Sequence, residues 1–127
     1  ACAPALELVS LNFERETDMN ATNLLAANLG AEFIVLGEFQ PWTKEFDELA
    51  ISLLHNGSPV NSGAAKDALG GPSLSAQAIC SEARFRGYDL TPDLILMTGA
   101  CGQVVSAKRG RYEASFGVLG SVHLHIR

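Results

Sequence analysis

The sequence predicts a β-rich α+β fold, and three observations carry the prediction. Short apolar or alternating runs recur between turn signals, the pattern of strands. Asn56-Gly57 stands between two extended runs, the strongest short-range hairpin signal a sequence offers. Helical periodicity is confined to two or three short segments, with no sustained strand–helix alternation to support a parallel doubly wound sheet.

Taken in order, Ala5 to Phe13 reads as a strand, with Leu6 and Leu8 on one side and Glu7 on the other. Glu14 to Asp18 is polar and ends in good helix-capping types. Ala21 to Leu29 is then helical, with Gly30 as its stop. Glu32 to Phe39 is a buried strand, and Gln40 to Lys44 a loop. Phe46 to Leu54 and Pro59 to Ser62 are the two arms of the Asn-Gly hairpin. Ala65 to Leu69 is a short helical turn. Ser73 caps the clearest helix, Leu74 to Arg86, in which Ala76, Ile79, Cys80 and Ala83 form one apolar stripe before Gly87. Leu94 to Met97 is an apolar run too short for a helix and bounded by Pro92 and Gly99, so a buried strand is expected. Val104-Val105 forms another. Tyr112 to Val118 and Gly120 to Ile126 close the chain, with Val122, Leu124 and Ile126 facing one way and His123 and His125 the other.

The totals exclude several classes. With 127 residues, 47% hydrophobic and 18% charged, the chain is one globular domain or a piece of one. A net charge of −5 with no basic run argues against a nucleic-acid partner. No apolar stretch approaches the length of a membrane span, and no signal-peptide pattern is present. Cys2, Cys80 and Cys101 are odd in number and far apart, which suggests reduced thiols and a cytoplasmic setting. Because the chain opens almost directly into a core-like strand, it is expected to be part of a longer polypeptide.

The candidate chemistry is sparse. Thr98-Gly99-Ala100-Cys101-Gly102 follows the Leu94–Met97 run. On residue types it reads as a tight turn ahead of the other reading, a stretch that brings backbone and a hydroxyl against a ligand. Glu7 is a lone carboxylate in an apolar strand, either facing solvent or compensated by a metal or hydrogen bonds. Asp18 at a helix start suits a cap, with Asn23 five residues on. His123 and His125 share a strand face without an evident third ligand, so a solvated face is expected. No Gly-Lys-Ser/Thr phosphate loop is present.

The order of these weak signals resembles a known family. It runs Pro4-Ala5-Leu6-Glu7-Leu8-Val9, Thr17-Asp18-x-x-Ala21-x-Asn23, Ile34-Val35-Leu36-Gly37 and Asn56-Gly57. It continues through Ala68-Leu69-Gly70-Gly71-Pro72, Asp93-Leu94-Ile95-Leu96-x-Thr98-Gly99-Ala100 and Phe116-Gly117-x-Leu119-Gly120-Ser121-Val122. Together these are similar to the C-terminal half of the 2-hydroxypenta-2,4-dienoate hydratase and 4-oxalocrotonate decarboxylase family, within the fumarylacetoacetate hydrolase superfamily. The resemblance implies a fumarylacetoacetase-type mixed sheet rolled around a pocket. On it, residues 1–127 are the C-terminal portion of a single catalytic domain.

The resemblance also implies a site and partners. Mg²⁺ or Mn²⁺ held by three carboxylates would bind a small 2-oxo or 2-hydroxy dienoic acid. Glu7 corresponds to the last of those ligands, Thr98 and Gly99 to the pocket-lining turn, and Asp18 and Asn23 to a polar pair nearby. The implied activity is a hydro-lyase, with a carboxy-lyase or a non-catalytic partner subunit as alternatives. The family's Glu-x-Glu ligand pair and its catalytic Lys have no counterpart within these residues. Leu11-Asn12 stands where the family has Ser-Arg, Pro92 where it has Gly, and Arg111 where it has Asp. Association with a second copy or with the other half of the domain is expected, because a half-domain leaves apolar edges uncovered.

Overall fold

A computed structural model describes residues 1–11 and 13–127, the Glu16 side chain excepted. Asn12, near the end of the first expected strand, lies outside the described residues. The elements are β1 (Ala5–Val9), α1 (Ala21–Ala26), β2 (Ala31–Leu36), β3 (Ala50–His55), β4 (Ser58–Ala64), α2 (Pro72–Phe85), β5 (Gly110–Ser115) and β6 (Ser121–Ile126). Single 3₁₀ turns fill several of the connections. The expected α+β class is the one found, with strand and helix in nearly equal share where a β-rich chain was expected.

The strands form two sheets. β1 and β2 pair alone, Leu6 opposite Val35 and Glu7 opposite Ile34. The larger sheet has the order β4-β3-β5-β6, and every ladder among the described residues is antiparallel. Asn56 and Gly57 make the expected turn between β3 and β4, with φ of 50° and 80°. Both values are positive, the geometry of a type I′ hairpin turn, which matches the right-handed twist of its strands. The Asn56 side chain adds a tie to the next strand, its Oδ1 accepting from the Arg111 amide at 2.9 Å.

The core lies on the inner face of β5 and β6, where Tyr112, Ala114 and Val122 are buried. Phe46, Ala65, Ala68 and Leu119 close it from the connecting turns. On β6 the alternation is as expected: Val122, Leu124 and Ile126 turn inward, His123 and His125 outward. The Gly37 amide donates to the Pro4 carbonyl at 2.9 Å, which ties the start of the chain to the end of β2.

Helix α2 keeps the expected stripe, with Ala76, Ile79, Cys80 and Ala83 all half-buried. Its cap differs from expectation. Ser73 is inside the helix, and Gly71 is the N-cap with φ 124°. Glycine has no side chain to offer, so the acceptor comes from elsewhere: Asp47 Oδ1 takes the Ser73 amide at 2.8 Å. A Cβ at Gly71 would lie 2.8 Å from that same oxygen, so the capping contact requires glycine as much as the dihedral does.

Several expected strands change. Glu32 to Phe39, expected buried, is a strand only to Leu36 and is mostly exposed, with Phe33 at 63%. Tyr112 to Val118 ends as a strand at Ser115, and Gly117–Leu119 is a 3₁₀ turn. Phe46 belongs to a 3₁₀ turn, Lys44–Glu48, capped by Thr43, and β3 begins only at Ala50. Leu94 to Met97 and Val104-Val105 join no ladder. Leu94 is 49% exposed, Ile95 48% and Val104 83%. An apolar run becomes a strand only beside a partner, and among the described residues none is presented to either segment.

Candidate functional site

A cavity of about 600 Å³ lies between the two sheets. β1 forms one wall, from Ala5 to Val9, and the inner face of the larger sheet forms another through Leu53, Ala114 and Leu124. The third wall is irregular chain between Met97 and Ala107, facing Asn61, Ser62 and Gly63 of β4. Most of the lining is apolar, as expected of a small-molecule cleft with few orienting polar groups.

The third wall has no regular secondary structure, so its backbone groups need other partners. Two side chains provide them. Asp67 Oδ2 accepts from the Gly102 amide at 3.0 Å and from the Ala64 amide at 2.8 Å. Asn61 bonds Gln103 at both ends, accepting from its amide at 3.2 Å and donating to its carbonyl at 2.9 Å. It also donates to the Cys101 carbonyl at 3.5 Å. The approach is close enough that β4 needs glycine at its centre: a Cβ on Gly63 would lie 2.5 Å from the Gly102 nitrogen.

Of the residues expected in the site, Glu7 and Gly99 line this one cavity from two different walls. Glu7 is exposed on β1. Thr98 is half-buried next to Gly99 and is not among the lining residues. Asp18 and Asn23 are brought together away from the cavity. The Asn23 amide group donates to the Asp18 carbonyl at 2.9 Å, and the Asp18 carboxylate pairs with Arg15 at 3.1 Å. The N-cap of α1 is Asn20, not Asp18.

Cys101 also lines the cavity, and burial, then the nearby Asp67 charge, pushes its thiol above the usual range. A thiol held protonated is a poor nucleophile. His55 is committed to structure: it stacks on Tyr112 at 4.5 Å between ring centroids and its Nε2 meets the Arg109 carbonyl at 3.0 Å. Among the described residues no three of His, Cys, Asp and Glu gather closely enough to hold a metal ion, His123 and His125 included. Sequence reasoning missed Asn61 and Asp67. Asn61 is a polar residue in a strand and Asp67 a turn acceptor, signals with many ordinary causes, and their partners lie 42 and 35 residues away.

No protein-family model matches the sequence. Among solved structures, the fold is similar to 4-oxalocrotonate decarboxylase from Pseudomonas putida G7 complexed with magnesium and adipate. The TM-score is 0.82 at 22% identity, covering 95% of this chain and 47% of that one. The same enzyme complexed with calcium and acetate gives 0.80 at 22% identity, over 95% and 46%. The chain thus spans about half the length of these structures. The fumarylacetoacetase-type fold that the sequence resemblance implied is the fold observed, except that the expected mixed sheet is two sheets with only antiparallel ladders among the described residues.

Proposed function

We propose that this chain carries the pocket of a divalent-metal lyase acting on a short 2-oxo or 2-hydroxy dienoic acid. Hydration of a 2-hydroxypenta-2,4-dienoate is the first reading. Decarboxylation of a 4-oxalocrotonate-type acid is the second, favoured by the fold neighbours being decarboxylases. The observation that carries the proposal is the shared cavity, with Glu7 on one wall and Gly99 on another.

The chain's own residues have limited roles in this reading. The apolar faces of β1 and β3 exclude water from the hydrocarbon part of the acid. Gly99 lets backbone approach the acid closely. Glu7 takes one ligand position toward Mg²⁺ or Mn²⁺. One carboxylate does not make such a site, because these cations take about six oxygens, and no further carboxylate joins it among the described residues. The remaining ligands are assigned to protein outside these 127 residues. Thr98 supports the site through the turn it shares with Gly99, and Asp18 and Asn23, which lie away from the cavity, are given no direct part in it. The complete assembly is a homo-oligomer, or this chain joined to the rest of its domain.

The test is made on the full-length protein, following dienoate absorbance for hydration and carbon dioxide release for decarboxylation, with and without Mg²⁺. Turnover by either assay that is lost with a chelator supports the reading. Failure of the full-length protein to bind Mg²⁺ and oxalate together would overturn it. Glu7→Gln is expected to lower turnover by at least the roughly 10- to 100-fold that losing an outer partner of a metal ligand costs.

A further inference from the structure

The cavity's irregular wall is held by side chains, not by a ladder. Gly99, Ala100, Cys101 and Gln103 line the cavity, and the two residues bonding this stretch, Asn61 and Asp67, belong to β4 and the turn after it. Between them they satisfy the Gly102 amide and both backbone groups of Gln103. Asp67 holds the Ala64 amide with the same oxygen, so one carboxylate ties the end of β4 to the loop. Gly63 lets the loop pass at backbone distance, 2.8 Å from a Cβ on Gly63 to the Cys101 carbonyl carbon.

From this geometry we propose that Asn61 and Asp67 are positioning residues for the pocket. They clamp backbone 101–103 onto β4 and so set where Gly99 to Cys101 stand relative to Glu7. Neither needs to touch the substrate. The bonds to Asp67 are charge-assisted, roughly twice as strong as neutral ones. The Asn61 amide matches the backbone donor and acceptor of one residue, Gln103, as a residue of a neighbouring antiparallel strand would. The wall is therefore fixed at two points while the stretch before it, with Leu94 and Ile95 half out in solvent, is left without a ladder. The pocket role, though not the clamp itself, rests on the lyase reading above.

The test uses the full-length protein with Asp67→Ala and Asn61→Ala, and Asp67→Asn as the conservative variant. Three readouts are taken: alkylation rate at each cysteine, amide hydrogen exchange at Gly102 and Gln103, and binding of adipate with Mg²⁺. Both alanine variants are expected to speed Cys101 alkylation about tenfold, while Cys2 and Cys80, equally half-buried, keep their rates. Exchange at Gly102 should rise most in Asp67→Ala and at Gln103 most in Asn61→Ala, and adipate binding should weaken about tenfold in both. Asp67→Asn, which keeps an acceptor oxygen, should fall between wild type and Asp67→Ala. Unchanged Cys101 alkylation and exchange would overturn the clamp. A loosened loop with unchanged adipate affinity would overturn its pocket role. Wild-type protein that binds adipate without lyase turnover would remove the lyase reading and leave the clamp intact.

Discussion

Asp47 shows how much a single side chain settles at the residue scale. It accepts the Ser73 amide at the start of α2, and its carboxyl is held below the ordinary value of 3.8, first by the Ser73 side chain and then by that amide. A carboxylate with a lowered folded-state pKa contributes stability that is present above the unfolded value and lost as pH falls through the folded one. The melting temperatures of wild type and Asp47→Asn should therefore differ by a constant amount near neutrality and converge below about pH 3.8. Ser75 makes a second residue-scale case. It is buried and its hydroxyl donates to the Ala68 carbonyl at 2.6 Å. Ser75→Ala removes that bond but leaves the Ala68 carbonyl its second donor, the Gly71 amide at 3.0 Å, and should cost about 1 kcal/mol in urea unfolding.

At the scale of elements, the β3–β4 hairpin stands on its turn. Asn56 tolerates its positive φ better than most residues, and its side chain also bonds the Arg111 amide on β5. Asn56→Ala loses both advantages and should destabilise by roughly 1–2 kcal/mol, more than the few tenths expected of an exposed surface change. Gly57→Ala, at φ 80°, should cost about 1 kcal/mol without disturbing β5. Equal costs for the two variants would mean that the side-chain tie to β5 carries nothing. Helix α2 is the contrasting element: its apolar stripe was legible in its spacing, whereas its cap was not, because the capping carboxylate lies 26 residues upstream.

The whole molecule exposes more surface than its mass requires. Its 9,078 Å² compares with roughly 6,500 Å² for a compact monomer of 13.5 kDa. Much of the excess is apolar, including Phe85 at 87% and Phe33 at 63% exposed. The 127 residues expressed alone are therefore expected to self-associate, and light scattering after gel filtration should give a mass of at least twice 13.5 kDa. A monodisperse monomer would count against both this expectation and the proposed oligomer. No helix among the described residues is long and apolar enough to cross a membrane.

What the sequence determined by itself was local in origin. The Asn-Gly turn, the 3.6-residue stripe of α2 and the alternation along β6 each follow from residues within one or two turns of one another. The order of short motifs was enough to anticipate the fold, and two of the residues it pointed to, Glu7 and Gly99, line one cavity. Only the tertiary structure decided the rest. Leu94 to Met97 had a strand's composition but gained no partner, and ladder pairing is a property of two segments. Asn61 and Asp67 acquired their role because β4 and the glycine-rich stretch, some 40 residues apart, meet at Gly63. The wall first read as a tight turn is thus shaped by contacts across the fold, which composition and periodicity do not encode.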